Sequence, residues 1–336
     1  MLKTRFCELF GIEYPIVCAG MGGVALASLA AAVSEAGGLG TIALVGFSEK
    51  GIHDQIATAR KITAKPIVVN VLIPFLRPGT FEALAREPIS AVTLFWGDPT
   101  DHIPACKSLG LKVIWQCGSA GEAVAAKRAG ADAIIAQGFE AGGHVRGVVT
   151  TFALIPEVRD AIGDLPMLAA GGITDGRGLA AALALGADGA VFGTRFLASD
   201  ECDAHPAYKQ AILSAHASDT LHTKLYDVGW PDAAHRVIRT PLVDAWERAG
   251  RPESGHRPHE GETTGRLTLT DLEIPVVNYS VMAPAEYVEG DISGLAFYAG
   301  HSVSLVKTIA PAGEIVHAIA REAIDTIASR LAPLAR

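Results

Sequence analysis

Short apolar runs alternate with helical segments along the first part of the chain, up to about residue 200. Eight runs have the length and composition of buried parallel strands, at residues 14–18, 39–43, 66–71, 91–95, 112–116, 133–136, 167–170 and 190–192. Helical stretches separate them, as repeated strand–helix–strand units require. The pattern predicts an α/β fold, and eight units favour a closed (β/α)8 TIM barrel over the alternative, a doubly wound open sheet.

The pattern changes after residue 200. Residues 201–285 contain more His, Arg, Asp and Pro than the preceding part and lack its short apolar runs. We expect a small, mainly helical lid or substrate domain, inserted after strand eight, in which the polar stretch 251–264 forms a mobile loop. Residues 1–200 and 286–336 would form the barrel, because an apolar stripe on 312–331 can close its outer ring of helices.

Composition and charge narrow the class of protein. The chain has 336 residues, a formal net charge of −8 and no long basic run, which argues against nucleic acid or an anionic membrane as a partner. No apolar segment has the length of a membrane span, and the N-terminus lacks the apolar core of a signal peptide. The five cysteines are scattered without metal-ligand spacing. We therefore expect a cytoplasmic protein with reduced thiols and no metal site.

Glycines follow the last two predicted strands of the barrel. Gly171 and Gly172 come directly after strand seven, and Gly193 and Thr194 come directly after strand eight. Their backbone N–H groups and one hydroxyl can surround a phosphate, and the standard phosphate site of TIM barrels lies after these two strands. The segment therefore predicts a phosphate-bearing cofactor. The alternative is that both loops need glycine only for tight turns.

The other strand ends carry amides and glycines, and active sites of TIM barrels lie at these ends. The set contains no Ser-His-Asp arrangement, no cluster of carboxylates and no converging metal ligands. It therefore favours a planar redox cofactor that supplies its own chemistry. The residues are Gly20, Met21 and Gly22 after strand one, Asn70 at strand three, Gln116 at strand five, and Gln137, Gly142, Gly143 and His144 at and after strand six.

His144 lies in a glycine-rich loop, where no apolar neighbour is expected to bury it. An imidazole at this place can take or give a proton near neutral pH. The alternative is a structural histidine that bonds the loop backbone or a phosphate oxygen. Four histidines of the predicted lid are weaker candidates and are expected to be exposed: His205, His216, His222 and His235.

Four segments together resemble the nitronate monooxygenase family, formerly called 2-nitropropane dioxygenases. They are FGIEYPIVCAGMGGVALASLAAAVSEAGGLGTIA, QGFEAGGHVRG, AAGGITDGRGLAAALALGADGAVFGTRFLAS and FYAGHSVSLV, and they extend over nearly the whole chain. The third segment alone indicates a phosphate-binding flavin barrel, and the EAGGH of the second makes the resemblance specific. It implies a TIM-barrel enzyme that depends on FMN.

The resemblance also implies a role for each candidate residue. His144 would be the catalytic residue, either as the base that takes the α-proton of a neutral nitroalkane or as a hydrogen-bond donor to the nitronate. Cys18 and His301 stand where the family often has glutamine, which leaves the substrate open. The residues that would bind FMN are Gly20, Met21, Gly22, Asn70, Gln116, Gln137, Gly142, Gly143, Gly171, Gly172, Gly193, Thr194 and His301.

The implied activity is the oxidation of alkyl nitronates, such as propionate 3-nitronate, by O2 to a carbonyl compound and nitrite, through a flavin semiquinone. The partners would be a small-molecule substrate and O2, and a homodimer is the one assembly that is considered. The main alternative is an NAD(P)H-dependent flavin reductase that acts on quinones or enoyl thioesters. A flavin-binding sensor and a flavin-free isomerase on a phosphate-binding barrel are further alternatives.

Overall fold

A barrel of eight parallel strands forms the centre of the protein in a computed structural model that describes residues 2–269 and 272–335. The N–H of Cys18 donates to Leu39 O (3.0 Å) and the N–H of Leu39 donates to Ile16 O (2.9 Å), which closes the ring. The predicted TIM barrel is confirmed, and the open sheet is wrong. The barrel strands are β1 (Ile16–Cys18), β2 (Gly40–Ala43), β3 (Ile67–Leu72), β4 (Ala91–Phe95), β5 (Val113–Cys117), β6 (Ala133–Gln137), β8 (Met167–Ala170) and β9 (Gly189–Phe192), while β7 (Gly143–His144) belongs to another sheet.

Helices cover the outside of the barrel, and several begin at a capping side chain. Ser48, Asp98, Ser119 and Asp175 each accept a hydrogen bond from an N–H of the first turn that follows. None of the described helices is both long and apolar enough to cross a membrane. The helices are α1 (Arg5–Phe10), α2 (Ala27–Glu35), α3 (Glu49–Ile62), α4 (Thr80–Ala85), α5 (Pro99–Ser108), α6 (Ala120–Ala129), α7 (Thr151–Ile162), α8 (Gly176–Ala184), α9 (Thr194–Leu197), α10 (Pro206–Ser214), α11 (Pro241–Arg248) and α12 (Ala312–Thr326).

The last long helix closes the outer ring, as its apolar stripe predicts. Ile315, Ile319 and Ala323 of α12 are buried, and the helix packs against α8 and α2. Short 3₁₀ and π segments complete the helical structure: Ile73–Phe75, Ala217–Asp219, His301–Leu305, Ile327–Leu331 and Ala332–Ala335.

Residues 201–290, here called the insertion, differ from the predicted mainly helical domain. Besides α10 and α11 they contain strands of two antiparallel sheets, ordered β10-β11-β7 and β13-β12-β14. Antiparallel strands with one solvated face need only alternating apolar residues, so the sequence shows no continuous apolar run. Residues 1, 270, 271 and 336 of the predicted domains lie outside the described part. The new strands are β10 (Thr220–Thr223), β11 (His235–Ile238), β12 (Thr263–Leu269), β13 (Leu272–Val277) and β14 (Val288–Gly290).

The polar stretch 251–264 is mostly exposed and is attached to the rest of the insertion at Arg257. Arg257 is only 6% exposed, although its neighbours are polar. Its guanidinium donates to Leu225 O and to Asp227 Oδ1, both at 2.8 Å, and lies over the ring of Tyr279. A buried arginine needs such partners to offset its lost hydration, and these contacts hold the stretch in place.

Two connections place the insertion on the carboxyl-terminal mouth of the barrel. The strand β7, from the loop after β6, pairs with β11 of the insertion. The hydroxyl of Tyr208 on α10 donates to Tyr298 O (2.5 Å), and Tyr208 shares an apolar cluster with Phe196 next to the barrel. The insertion is therefore part of the site region and not a separate body.

We expect Asp188, at the amino-terminal end of the barrel, to be important for stability. Its carboxylate is buried, receives Arg159 (2.7 Å) and Arg5 (3.0 Å), and accepts the N–H of Met167 (2.9 Å). Asp188→Ala removes the carboxylate partner of Arg159 and leaves the buried N–H of Met167 without its acceptor, so the free energy of unfolding should fall by about 3 kcal/mol in urea denaturation. Asp164→Ala is the matched control, because Asp164 pairs with the same Arg5 from a fully exposed position, and it should change little. Equal effects of the two variants would contradict this role.

Candidate active site

A layer of amide side chains covers the barrel interior at the carboxyl ends of its strands. Side chains two residues apart on a strand face the same side, so Asn70, Gln116 and Gln137 face the interior. Asn70 lies within β3 and not at its end, because that strand continues to Leu72. The residues two positions earlier on these strands belong to the apolar core inside the barrel: Val68, Ile114 and Ile135.

The loop after β1 lies against two other strand ends. Gly20 packs on the amide of Asn70, since a Cβ on Gly20 would lie 2.6 Å from Oδ1 of Asn70. The sulfur of Met21 would lie 4.0 Å from a Cβ on Gly193, which follows β9. The structure therefore brings the ends of β1, β3 and β9 together.

Cys18 and Gly22 at the two ends of this loop face apolar surroundings. Cys18 is completely buried, and burial raises the pKa of its thiol, so it is no reactive thiolate. Gly22 lies against Val45 after β2, whose Cγ2 would be 3.1 Å from a Cβ at position 22.

The two glycine loops after β8 and β9 lie next to the loop after β6. Gly171 and Gly172 both have positive φ (97° and 73°), which glycine adopts without strain. The hydroxyl of Thr151 at the start of α7 donates to Gly171 O at 2.8 Å. The hydroxyl of Thr194 accepts the N–H of Gly300 at 3.1 Å, so its own proton is free to donate elsewhere.

The backbone of residues 299–301 crosses the loop after β6 at Gly142. A Cβ at Gly142 would lie 2.5 Å from the carbonyl carbon of Ala299, so this crossing requires glycine. The N–H of His301 donates to Glu140 O at 2.9 Å and fixes the crossing. The predicted residues Gly142, Gly171, Thr194 and His301 therefore lie in one contiguous region.

The strand β7 sets the position of the candidate catalytic histidine. His144 pairs with His235, and Gly143 pairs with Arg236, in antiparallel register. The amide nitrogen of Gln137 donates to His144 O at 3.0 Å. His144 is therefore held by backbone contacts on both sides, one from the barrel and one from the insertion.

The imidazole of His144 is surrounded by other rings, contrary to the expectation that nothing would bury it. Its Nε2 atom is buried and has no hydrogen-bond partner among the described residues. Residues that are distant in the sequence supply the neighbours, so the glycine-rich loop gave no sign of them. The ring centroids lie 4.1 Å from Trp230, 5.5 Å from His235, 5.5 Å from Tyr298 and 6.0 Å from Trp96.

These surroundings keep His144 neutral. Burial, and to a smaller extent the nearby His235, lower the pKa of His144 to about 3. A neutral imidazole carries one N–H and can donate a hydrogen bond, but it is a weak base at neutral pH. The site is therefore better suited to donate a hydrogen bond at Nε2 than to remove a proton.

Of the histidines of the insertion that were predicted to be exposed, His235 is buried and His222 is half-buried, so the prediction is wrong for both. His235 is 0% exposed, its Nδ1 bonds Ala233 O (2.8 Å) and its Nε2 accepts the N–H of Tyr226 (3.3 Å). Burial lowers its pKa to about 4. His222 packs on Phe139 with ring centroids 4.6 Å apart, and its Nε2 is buried. Both lie on short antiparallel strands of the same sheet, β10 and β11.

The sequence analysis missed three residues of this region. Trp96 directly follows β4, and its φ of 68° is unusual for a bulky residue. Trp230 gave no signal, because its loop becomes part of the site only through the fold. Arg236 is 2% exposed and donates to Phe139 O at 3.0 Å, and nothing local in the sequence indicates that it is buried.

The amino-acid sequence matches one family model and is similar to several named proteins. The family model for nitronate monooxygenase matches residues 3–83 and 78–322. The "(3aS,4S,5R,7aS)-5-hydroxy-7a-methyl-1-oxo-octahydro-1H-indene-4-carboxyl-CoA dehydrogenase" of Rhodococcus jostii is 33% identical over 97% of both chains. A "probable nitronate monooxygenase" of Staphylococcus aureus is 34% identical over 67% of this chain and 76% of its own length.

Solved structures with the same fold include enzymes with different names. FabK from Thermotoga maritima superposes with a TM-score of 0.78, at 34% identity and 98% coverage of both chains. Nitroalkane oxidase from Streptomyces ansochromogenes gives a TM-score of 0.74, at 28% identity, and covers 96% of this chain and 99% of its own. The fold is therefore shared by proteins that carry different names.

The lowered histidine pKa values predict how stability depends on pH. Histidines in the unfolded chain titrate near pH 6.5, whereas the pKa of His144 is about 3 and that of His235 about 4. Below about pH 6.5 the unfolded chain binds protons that the folded chain does not, so stability falls as the pH decreases. We expect His144→Gln to flatten this dependence in urea denaturation between about pH 7 and pH 5. A curve for His144→Gln that runs parallel to that of the wild type would refute the assignment.

The close backbone crossing at Gly142 predicts that a side chain at this position lowers both the stability and the flavin content of the protein. Gly142→Ala forces the loop after β6 away from Ala299, and overpacking of this kind costs about 2 kcal/mol. We expect a lower unfolding midpoint and less visible flavin absorbance per purified chain. Gly121→Ala is the control, because a Cβ there would meet nothing closer than the hydroxyl of Ser119 at 4.0 Å. If both variants retain full stability and absorbance, the crossing does not support the site.

Proposed function

Because the chain belongs to the nitronate monooxygenase family of flavin-dependent oxidoreductases, we propose that it oxidises alkyl nitronates, such as propionate 3-nitronate, with O2 to a carbonyl compound and nitrite. The observation that carries this proposal is the buried, unpartnered Nε2 of His144 at the mouth of the barrel. Buried polar atoms almost always have a hydrogen-bond partner. A bound substrate with accepting oxygens would provide one.

The residues of the mouth fit a flavin, which we propose is FMN. Oε1 of Gln137 is also buried without a partner, in the amide layer that faces the barrel interior. The N–H and carbonyl groups of a flavin's pyrimidine ring complement such atoms. When bound, the flavin would supply the electron transfer between substrate and O2. We propose that its ring and ribityl chain contact Gly20, Met21, Gly22, Asn70, Gln116, Gln137, Gly142 and Gly143, with the phosphate at Gly171, Gly172, Gly193 and Thr194 and a hydrogen bond from His301.

The protonation state of His144 supports a nitronate as the substrate in preference to a neutral nitroalkane. A nitroalkane must first lose its α-proton, and the lowered pKa of about 3 makes His144 a weak base for that step. A nitronate already lacks this proton. In the tautomer that carries its proton on Nε2, the neutral imidazole donates to a nitronate oxygen and holds the anion in a dry pocket.

A second candidate is the oxidation or reduction of a thioester, and two of the similar proteins support it. The carboxyl-CoA dehydrogenase and FabK both align with this chain over nearly its whole length. A neutral N–H donor at His144 would serve a thioester carbonyl as well as a nitronate oxygen. Such an enzyme would exchange electrons with a nicotinamide or with its thioester instead of O2.

Two measurements on the purified protein discriminate these functions. Oxygen uptake and nitrite release are followed with propionate 3-nitronate in air, and flavin bleaching by NADH or NADPH is followed without oxygen. We expect a yellow protein that consumes O2 with the nitronate and is not bleached by nicotinamide. Rapid bleaching without nitronate turnover would instead assign a flavin reductase, and a colourless protein would exclude both.

Substitution at position 144 tests the donor role. His144→Leu removes the donor, and loss of one donor to developing charge lowers turnover by about a hundredfold or more. His144→Gln places an amide N–H near the position of Nε2 and should retain more activity on the nitronate. His216→Gln is the control, at an exposed histidine of the insertion. If both variants at position 144 lose activity only on neutral nitroalkanes, His144 is the base and not the donor.

A further inference from the structure

The insertion places one tryptophan directly over His144. Trp230 belongs to a loop, yet it is only 7% exposed. Its ring lies 4.1 Å from the imidazole at an interplanar angle of 31°, which is close to a stacked arrangement. Trp96 (5.0 Å, 71°) and Phe75 (5.2 Å, 85°) meet the same indole with their edges. The indole of Trp230 therefore contacts one side chain from each of the loops after β3, β4 and β6.

The loop that carries Trp230 is anchored on the side that precedes the tryptophan. Asp227 receives the buried guanidinium of Arg257 at 2.8 Å. The N–H of Val228 donates to Tyr279 O (3.1 Å), and Val228 O accepts the N–H of Val281 (3.0 Å). The core of the insertion thus holds the backbone as far as Val228, two residues before Trp230. This restricts the positions that the indole can take.

Packing takes the place of hydrogen bonding in orienting the imidazole. Functional histidines are commonly fixed by a hydrogen bond at the second ring nitrogen. Here the main chain of His144 is held by β7 and by Gln137, whereas its ring rests against Trp230. A stacked indole restricts rotation of the ring and excludes water from its face.

We propose that Trp230 is a positioning residue for His144 and the specificity-determining residue of the site. Its indole keeps the imidazole in one orientation and forms the ceiling above it. That ceiling restricts the substrate to short-chain compounds and excludes branched or aryl groups on the reacting carbon. The role in specificity rests on the proposed function, whereas the role in positioning does not.

The charged and titratable groups around the imidazole do not stabilise its protonated form, so the access of water to the ring decides its protonation. Trp230 limits that access. The groups that face it are His235 on β11 and Tyr298, and Arg146 lies over the ring of Trp96 at 5.7 Å. His235 has both ring nitrogens engaged, and burial raises the pKa of Tyr298 far above its ordinary value. None of these three groups is an anion, so none favours the imidazolium. Water admitted by removal of the indole would favour it.

The test compares Trp230→Ala and Trp230→Phe with Trp246→Ala in the flavin-bound protein. Trp246 is the matched control, a tryptophan of the same insertion whose Nε1 donates to Pro252 O (2.9 Å) away from His144. NMR titration of labelled histidines should show the pKa of His144 rising toward its ordinary value of about 6.5 in Trp230→Ala. Trp230→Phe and Trp246→Ala should leave it low. This readout needs no substrate, so it stands or falls independently of the proposed function.

The specificity is read from the ratio of kcat/KM for a branched nitronate to that for a short one. We expect Trp230→Ala to raise this ratio about tenfold or more, because one methylene group in a tight pocket is worth that much. If nitronates are not turned over, the same ratio is measured with short and branched enoyl thioesters. Trp230→Leu serves if the alanine variant does not fold, and it should lower kcat with little change in KM. An unchanged histidine titration together with an unchanged ratio would overturn the proposal.

Discussion

The pairing of the two-residue strand β7 with β11 is the contact on which the geometry of the site depends. It joins the loop after β6 to the insertion, and it does so at the residue that carries the candidate catalytic imidazole. The loop can reach β11 only because the backbone of residues 299–301 crosses it at Gly142 without a side chain between them. A strand of two residues has little stability alone, so the crossing and the hydrogen bond from Gln137 are needed to hold it.

Desolvation follows from this arrangement and determines the chemistry of His144. Once β7 is paired, the imidazole lies among Trp230, Trp96 and Tyr298, and its charged form is disfavoured. The same residue in an open glycine-rich loop would titrate near neutral pH and act as a base. Its neutral state is therefore a property of the packing and not of the loop sequence.

The barrel and the insertion have different tasks in this protein. The barrel supplies a layer of amides and bare backbone at its strand ends, which suits a cofactor common to many enzymes of this fold. The insertion supplies the indole above the imidazole and hence the wall that a substrate meets. The same architecture is shared, at TM-scores of 0.78 and 0.74, by proteins named FabK and nitroalkane oxidase.

The sequence by itself determined the barrel, because strand length, apolar runs and glycine positions are local properties of the chain. It also placed the amides Asn70, Gln116 and Gln137 near the carboxyl ends of their strands, and the barrel brings these ends to one mouth. It did not predict the sheets of the insertion, whose alternation is too short to stand out, or the burial of His235. The tertiary structure alone decided that Trp230 covers His144 and that the imidazole is neutral. Burial and stacking arise between residues that are distant in the chain, and no local pattern encodes them.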